Sequence, residues 1–295
     1  MKTKTILTII LLFLTGCAGL YHPKKDTLQF TDIHQYAEMA DASYRGNYYI
    51  NQKYQEAYEV TIYQLEDFEV KYFVLKNHLL KKQYIIVRGT DNLENAITDL
   101  QYLKSKDPKT GIFIHSGFLE TTQLIYQRLI LDDPKLLTKD YETTLVGHSL
   151  GGAIVGILGT YILESAINLK WVITFGQPKF TNTEGIQKIK ELPFIRVVNQ
   201  GDLVPMVPPT SLLSILDGEY HHGGLEIFLS DQGTVEYTNV GTAEHDNQKA
   251  SFWDTLLEGD IDYEKHLMGA YIRKINKLIS KAVYITYEAG YEWGK

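Results

Sequence analysis

The chain is poor in cysteine, with only Cys17 among its 295 residues. A single thiol cannot form an intramolecular disulfide, so the fold must be stabilised mainly by its hydrophobic core. Long apolar runs are lacking too. The run near the start, Ile6–Leu14, is far shorter than the roughly 20 residues that a helix needs to cross a bilayer. We therefore do not predict a transmembrane helix there.

An excess of positive charge is also missing, because 29 Lys and Arg stand against 36 Asp and Glu, for a formal net charge of −7. This balance argues against a nucleic-acid partner. The sequence shows no internal repeat or low-complexity tract, and its 44% hydrophobic content is typical of a globular protein. We expect residues 27–295 to form one domain with a large core.

The first residues have the pattern of an export signal, in which Lys2 and Lys4 precede the apolar run. The run leads to Leu-Thr-Gly-Cys, which resembles the lipobox of bacterial lipoproteins. The resemblance implies a signal peptide over 1–16, a lipidated Cys17 and a tether over 17–26 that holds the domain to a membrane of the cell envelope. Ala18 is not the aspartate of an inner-membrane retention signal, which favours the outer membrane in a host with two. A plain secretory signal with a chance cysteine is the alternative.

The strongest chemical signal lies in residues 143–169, where an apolar strand leads through a glycine turn at Ser149 into a small-residue helix. Gly147 and Gly151 flank the serine in the pattern G-x-S-x-G. A serine hydroxyl needs a base and nearby backbone N–H donors to act as a nucleophile, and this sharp turn exposes it to both. We predict a nucleophile elbow; an ordinary glycine-rich turn is the alternative.

Two backbone donors are predicted beside Ser149. The N–H of Leu150 begins the following helix, where N–H groups have no helical partner. Thr90 follows a short buried strand and would donate the second N–H; a structural turn is the alternative there. The amphipathic segment 91–100 is interpreted equally well as a lid or as a packed surface helix.

Alternating and buried runs predict an α/β fold with a mostly parallel sheet covered by helices on both faces. The predicted strands are Glu59–Gln64, Phe68–Leu75, Tyr84–Val87, Trp171–Phe175 and Phe194–Asn199. The predicted helices are Thr31–Tyr44 with a Thr or Asp cap, one from about Ser116 to Leu131, and Ala270–Ile285. The last is basic and amphipathic; we favour packing on the domain over contact with a membrane.

An acid and a base are expected after the serine, in the order Ser, Asp or Glu, His. Asp202 follows the strand Phe194–Asn199 and should reach the same sheet edge as Ser149. Four histidines come later: His221, His222, His245 and His266. His266 is favoured because it precedes an apolar helical stretch, but the residues alone leave the other three open. His148 is expected to be a packing residue, and His115 to support the pocket.

Several segments in this order resemble the class 3 lipases, the fungal-type triacylglycerol lipase family. They cover about residues 31–271. The resembling segments are VRGTDNLENAITDL (87–100), HSGFLE (115–120), GHSLGGA (147–153), FGQPKFTN (175–182), RVVNQGDLVPMVPP (196–209), HHGGLEIFL (221–229) and HLMGAY (266–271). The last has an extra spacing before its tyrosine.

The resemblance implies an α/β-hydrolase fold and a catalytic triad of Ser149, Asp202 and His266. It also implies an oxyanion hole formed by Thr90 and Leu150. The expected activity is hydrolysis of lipid esters through an acyl-enzyme, with no metal or other cofactor. A phospholipase A or lysophospholipase is an alternative, and a silent lipoprotein that binds a lipid or a partner is another. Head group, acyl chain length and oligomeric state stay open.

Overall fold

The computed structural model describes residues 26–65, 70–90, 104–208, 219–239, 262–281 and 284–287. The strands are β1 (Asp26–Gln29), β2 (Glu59–Leu65), β3 (Val70–Asn77), β4 (Lys82–Val87), β5 (Lys104–Lys106), β6 (Phe113–His115), β7 (Glu142–His148), β8 (Leu169–Phe175), β9 (Phe194–Asn199), β10 (Leu225–Leu229), β11 (Val235–Asn239) and β12 (Tyr284–Tyr287). The α-helices are α1 (Phe30–Ala42), α2 (Asn47–Tyr54), α3 (Ser116–Tyr126), α4 (Leu150–Leu163), α5 (Thr183–Ile189) and α6 (Met268–Ile279).

One large sheet organises the molecule, with strand order β11-β10-β9-β8-β7-β4-β3-β2. Its middle strands, from β4 through β7, β8 and β9 to β10, are parallel. The edges are antiparallel, since β2 and β3 form hairpins with their neighbours and β11 pairs with β10. This is the α/β-hydrolase architecture, and the predicted mostly parallel sheet is confirmed.

Helices cover both faces of the sheet, so each face has its own hydrophobic core. Helices α1 and α6 pack together on one face, and α3 packs beside α4 on the other. The parallel strands are buried on both sides, as a sheet covered twice requires. No helix in the described ranges has the length and apolar character to cross a membrane.

The glycines of α4 let this helix lie directly against the sheet. A Cβ at Gly152 would come within 2.9 Å of Gln177, one at Gly156 within 2.9 Å of Phe180, and one at Gly159 within 2.9 Å of Val172. The close approach places the start of α4, and with it Ser149, above the end of β7.

Several predicted boundaries differ from the structure by a few residues, and two of these differences have a clear physical reason. Helix α1 is capped by Gln29, which exchanges hydrogen bonds with Asp32 in a capping box, rather than by the Thr or Asp expected from the sequence. The last helix ends at Ile279, and Ile285 lies in β12, where Tyr284–Tyr287 pairs with β1. The apolar periodicity continued past the helix because the strand buries Ile285 in the same core.

The carboxyl ends of the parallel strands lie side by side along one end of the sheet, which we call the catalytic edge. Val87, His148, Phe175 and Asn199 are the last residues of β4, β7, β8 and β9. The loops that follow them carry Thr90, Ser149, Gly176 and Asp202. Residues 1–25, the possible lid at 91–100 and His245 lie outside the described residues.

Candidate active site

Ser149 sits in a strained backbone conformation between β7 and α4. Its φ of 56° and ψ of −132° lie in a region of backbone conformation that residues other than glycine rarely adopt. Such a conformation costs on the order of 1–3 kcal/mol and persists where the surroundings enforce it. Here the Ser149 N–H donates to the carbonyl of Phe175 at 2.9 Å, and the Ser149 carbonyl accepts from Gly152 at 2.8 Å. This is the geometry of the predicted elbow.

The glycines around Ser149 are required by backbone approach. A Cβ at Gly151 would overlap the carbonyl oxygen of Val87, and one at Gly147 would overlap the backbone of Gly151. A Cβ at Gly89 would lie 2.7 Å from the Cβ of Ser149. The strand end at residues 87–89 therefore passes directly beside the serine, and no side chain fits between them.

Asp202 and His266 are in direct contact although 64 positions separate them. The Nδ1–H of His266 donates to the Asp202 carboxylate at 2.9 Å and 3.0 Å, and both side chains are buried. A carboxylate can only accept, so this bond keeps the proton of the neutral ring on Nδ1 and leaves Nε2 as an acceptor. The arrangement is that of an acid that orients a base.

Two further donors hold the carboxylate of Asp202. The Tyr271 hydroxyl donates to Oδ2 at 2.5 Å, and the backbone N–H of Val204 donates to Oδ1 at 3.0 Å. Burial and the adjacent Asp202 raise the pKa of Tyr271 well above its usual range, so the phenol remains a donor. Sequence reasoning missed the role of Tyr271; the spacing from His266 in HLMGAY was its only signal.

The ring of His266 lies beside the elbow, close to Ser149. It stacks at 4.4 Å between ring centroids on His148, the residue before the serine. A Cβ at Gly176, in the loop after β8, would lie 2.8 Å from the His266 ring and 2.7 Å from Asp202. His266 Nε2 is buried and has no hydrogen-bond partner among the described residues, so no bond to Ser149 is formed. This bond is often longer in free serine hydrolases than in their complexes.

The predicted oxyanion donors flank the serine from two sides. Leu150 is the first residue of α4, so its N–H belongs to the helix turn whose donors lack helical acceptors. Thr90 follows Gly89, the residue in van der Waals proximity to Ser149. The structure thus gathers all five residues at one edge, and the roles assigned to them stay predictions.

The family described as Lipase (class 3) matches residues 84–212, which contain Thr90, Ser149 and Asp202. Residues 84–212 are therefore similar to the class 3 lipases. His266 lies beyond the matched segment. Within the described part of the chain, no group of three or more His, Cys, Asp or Glu could hold a metal ion.

This chain is also similar to individual lipases and to a phospholipase. A lipase of Rhizomucor miehei is 29% identical over 181 residues, which cover 58% of this chain and 48% of the relative. Phospholipase A1-Igamma2 of Arabidopsis thaliana is 30% identical over 207 residues, or 54% of this chain and 39% of the relative. The chain thus spans about half the length of these relatives or less.

A solved structure of the Rhizomucor miehei triacylglyceride lipase shares the fold. It has a TM-score of 0.65 at 23% identity, and the match covers 83% of this chain and 100% of the solved one. The comparison establishes the α/β-hydrolase fold over nearly the whole described chain.

His148, inside the elbow, forms hydrogen bonds through both ring nitrogens. Its Nε2 lies 2.8 Å from the carbonyl of His266, and its Nδ1 lies 2.6 Å from the hydroxyl of Tyr44. That hydroxyl accepts a bond from the Gly89 N–H at 3.2 Å. The expectation of a packing residue was incomplete, because His148 bonds both to Tyr44, just after α1, and to the backbone of the predicted base.

Only one arrangement of protons satisfies these bonds. A carbonyl only accepts, so His148 Nε2 carries the proton and Nδ1 accepts from Tyr44. Burial, and next the neighbouring His266, lower the pKa of His148 well below 6.5, so the ring is neutral. These hydrogen bonds link Gly89, which precedes the predicted oxyanion donor Thr90, through Tyr44 and His148 to the predicted base His266.

We expect Tyr44→Phe to lower kcat about tenfold with little change in KM. The substitution leaves the Gly89 N–H and His148 Nδ1 without this partner, and each buried unpaired group costs roughly 1–3 kcal/mol. Tyr58→Phe is the matched control, since Tyr58 bonds only to Gln35 on the surface. The rate of labelling by a fluorophosphonate, measured on folded protein, should fall in the same proportion. An unchanged labelling rate would reduce Tyr44 to a purely structural role.

The other predicted histidines lie apart from the base position. His222 Nε2 donates to the Pro205 carbonyl at 2.6 Å and so binds the segment that follows Asp202. His221 pairs through its backbone N–H with Thr181. The buried ring of His115 stacks at 4.3 Å on Phe118. Of the histidines described, only His266 contacts Asp202 through its ring.

Buried neutral histidines make stability depend on pH. Burial lowers the pKa of His148 and of His222 well below 6.5. Above pH 6.5 neither state binds the proton; below it only the unfolded chain does, so acid favours unfolding. We expect the free energy of unfolding, from urea titrations at pH 7 and 5, to fall by up to about 1.4 kcal/mol per pH unit and histidine. His222→Gln should make this dependence shallower, and an identical slope would contradict the assignment.

Proposed function

We propose that this protein hydrolyses carboxylic esters of lipids through an acyl-enzyme formed on Ser149. The observation that carries the proposal is the buried His266, which is bound to Asp202 through Nδ1, has an Nε2 without a hydrogen-bond partner among the described residues, and contacts His148, the residue before the strained serine. An orienting acid, a base and a serine hydroxyl are the parts that acyl transfer needs. The class 3 lipase match supports lipid esters as the substrate.

In the first half of the reaction, His266 Nε2 takes the proton as Ser149 Oγ attacks the ester carbonyl. Asp202 holds the ring and stabilises the imidazolium that forms. The negative oxygen of the tetrahedral intermediate would be bound by the N–H groups of Leu150 and Thr90. His266 then gives its proton to the leaving alcohol, and the acyl group stays on the serine.

The second half repeats these steps with water. His266 removes a proton from the water molecule that attacks the acyl-serine, and the same donors bind the second oxyanion. Collapse of this intermediate releases the fatty acid and returns the proton to Ser149. The side chains described here carry every proton transfer in this scheme.

A phospholipase A or lysophospholipase is the second candidate. Phospholipase A1-Igamma2 of Arabidopsis thaliana is 30% identical to this chain over 207 residues, which favours this candidate. The two substrate classes use the same bond and the same triad, so the fold does not separate them.

The test is fatty-acid release by the full chain from triglyceride, phospholipid, lysophospholipid and short p-nitrophenyl esters, beside a Ser149→Ala variant. Serine-dependent release from one class would establish both the hydrolase and its substrate. A folded protein that releases nothing and does not react with a fluorophosphonate would instead be a silent lipid- or partner-binding lipoprotein.

We also propose that Cys17 is lipidated and holds the domain to the bacterial cell envelope, with the outer membrane favoured where two exist. The lipobox-like LTGC and the lone thiol support this proposal. In a bacterial host supplied with labelled palmitate, the wild-type chain should take up label and Cys17→Ser should not. Equal labelling of both would refute it.

A further inference from the structure

The hairpin between β3 and β4 exposes two leucines at its tip. Leu79 is 91% exposed and Leu80 is 60% exposed, although both are large and apolar. Lys81 and Lys82 follow directly and are exposed as well. Neighbouring exposed leucines beside lysines match the needs of a segment that enters the interface of an anionic bilayer. We call residues 78–82 the leucine tip.

The leucine tip is rigid, so it presents the leucines at little entropic cost. Asn77 pairs with Lys82 across the hairpin, and the Leu80 N–H donates to the side chain of Asn77 at 2.8 Å. His78 is held on both ring nitrogens, by the Tyr141 hydroxyl at 3.0 Å and by Glu59 at 2.8 Å. A tip fixed in this way keeps both leucines in water unless a partner covers them.

The tip lies at the opposite edge of the sheet from the catalytic edge. Lys82 begins β4 and pairs with Glu142, which begins β7, whereas Ser149 follows the other end of β7. A strand of seven residues is about 20 Å long. A surface that covered the leucines would therefore lie about that far from the serine, on the other side of the sheet.

The start of the described chain lies at the same edge as the tip. Thr27 and Leu28, in β1, line one cleft together with Lys82, Glu142 and Lys170, the first residues of their strands or next to them. Cys17 precedes Asp26 by nine positions, which reach at most about 30 Å when fully extended. A lipid on Cys17 would thus draw this edge towards the membrane that holds it.

We propose that the leucine tip inserts into the membrane that carries the N-terminal anchor, so that the catalytic edge faces away from it. The anchor depends on the proposed lipidation of Cys17, whereas the exposure and the position of the leucine tip do not depend on it. Substrate would then be taken from lipid outside the anchoring membrane. Leu267 follows His266, and Tyr48 lies in the first turn of α2, four positions after Tyr44, which bonds to His148. Both are exposed at the catalytic edge and suit contact with that second lipid surface.

The test uses the single native cysteine to advantage. In the full chain with Ser149→Ala, made in a bacterial host so that Cys17 keeps its lipid and offers no free thiol, one new cysteine is placed at Leu80, or at Tyr48 as the matched control on the opposite edge. Each is labelled with an environment-sensitive dye and reconstituted at low density into vesicles of phosphatidylcholine with phosphatidylglycerol. We expect the Leu80→Cys label to shift to the blue, brighten several-fold and be quenched by brominated lipid, while the Tyr48→Cys label stays unchanged.

Other outcomes would overturn the proposal. A silent label at position 80, or an equal response at position 48, would show that this edge does not face the bilayer. A shift at position 80 without vesicles, growing with protein concentration, would assign the tip to a second copy of the chain. A several-fold weaker response in pure phosphatidylcholine is expected from Lys81 and Lys82, and an equal one would remove their role. Because Ser149 is replaced throughout, no outcome depends on hydrolysis.

Discussion

Ser149→Ala should lower kcat on the preferred lipid ester by roughly 10⁴- to 10⁶-fold, and His266→Ala should do the same. The alanine removes the attacking oxygen in the first variant and the proton acceptor in the second. Because the two residues act as one unit, the double variant should be no slower than either single variant. Steady-state rates with a sensitive fatty-acid assay would measure all three.

Matched substitutions separate chemistry from folding. Ser165→Ala removes a serine hydroxyl that donates to the Ile162 carbonyl and accepts from the Ile167 N–H, and His34→Ala removes a histidine near the surface. Both should keep near full activity. If His266→Ala kept its activity while His245→Ala lost it, the base would be His245, and the contact between His266 and Asp202 would be structural.

Asp202→Asn should lower kcat by about 10⁴-fold with little change in KM. An amide can turn its NH₂ towards His266, which would move the ring proton to Nε2 and block it as an acceptor. The change also disturbs the bonds from Tyr271 and Val204, so a loss of stability of a few kcal/mol is expected. Nitrogen NMR of labelled histidine would report the tautomer directly.

Asp231→Asn is the control for Asp202→Asn. Asp231 is half-exposed and pairs with Lys274 at 2.6 Å and with Lys265 at 4.0 Å, and in the described structure its carboxylate forms no bond to Ser149, Asp202 or His266. Its replacement should leave kcat unchanged, because exposed ion pairs contribute little. An Asp202→Asn variant that retained full activity with His266 still protonated on Nδ1 would remove Asp202 from the mechanism.

Local patterns were sufficient where the physics is local. The strand Phe194–Asn199 has the bounds that its buried run predicted, because every residue in it is covered on both faces. The elbow could be predicted from the sequence because the turn at Ser149 leaves no room for a Cβ at Gly147 or Gly151, and these three residues lie within five positions. The end of the last helix could not be predicted in this way, because Ile285 fits the apolar spacing of a helix although it lies in β12.

The sequence by itself determined the α/β class, the elbow at Ser149 and an acid at Asp202, because strand periodicity, turn sterics and chain order act over short distances. Only the tertiary structure decided which histidine meets that acid, and that Tyr44, His148 and Tyr271 support the site. Tyr44 is 104 positions from His148, and His148 is 118 from His266. No local pattern records such contacts, because packing of helices α1 and α6 on the sheet creates them. The direction of the parallel strands places the leucine tip and the first described residues at one end of the sheet and the predicted triad at the other.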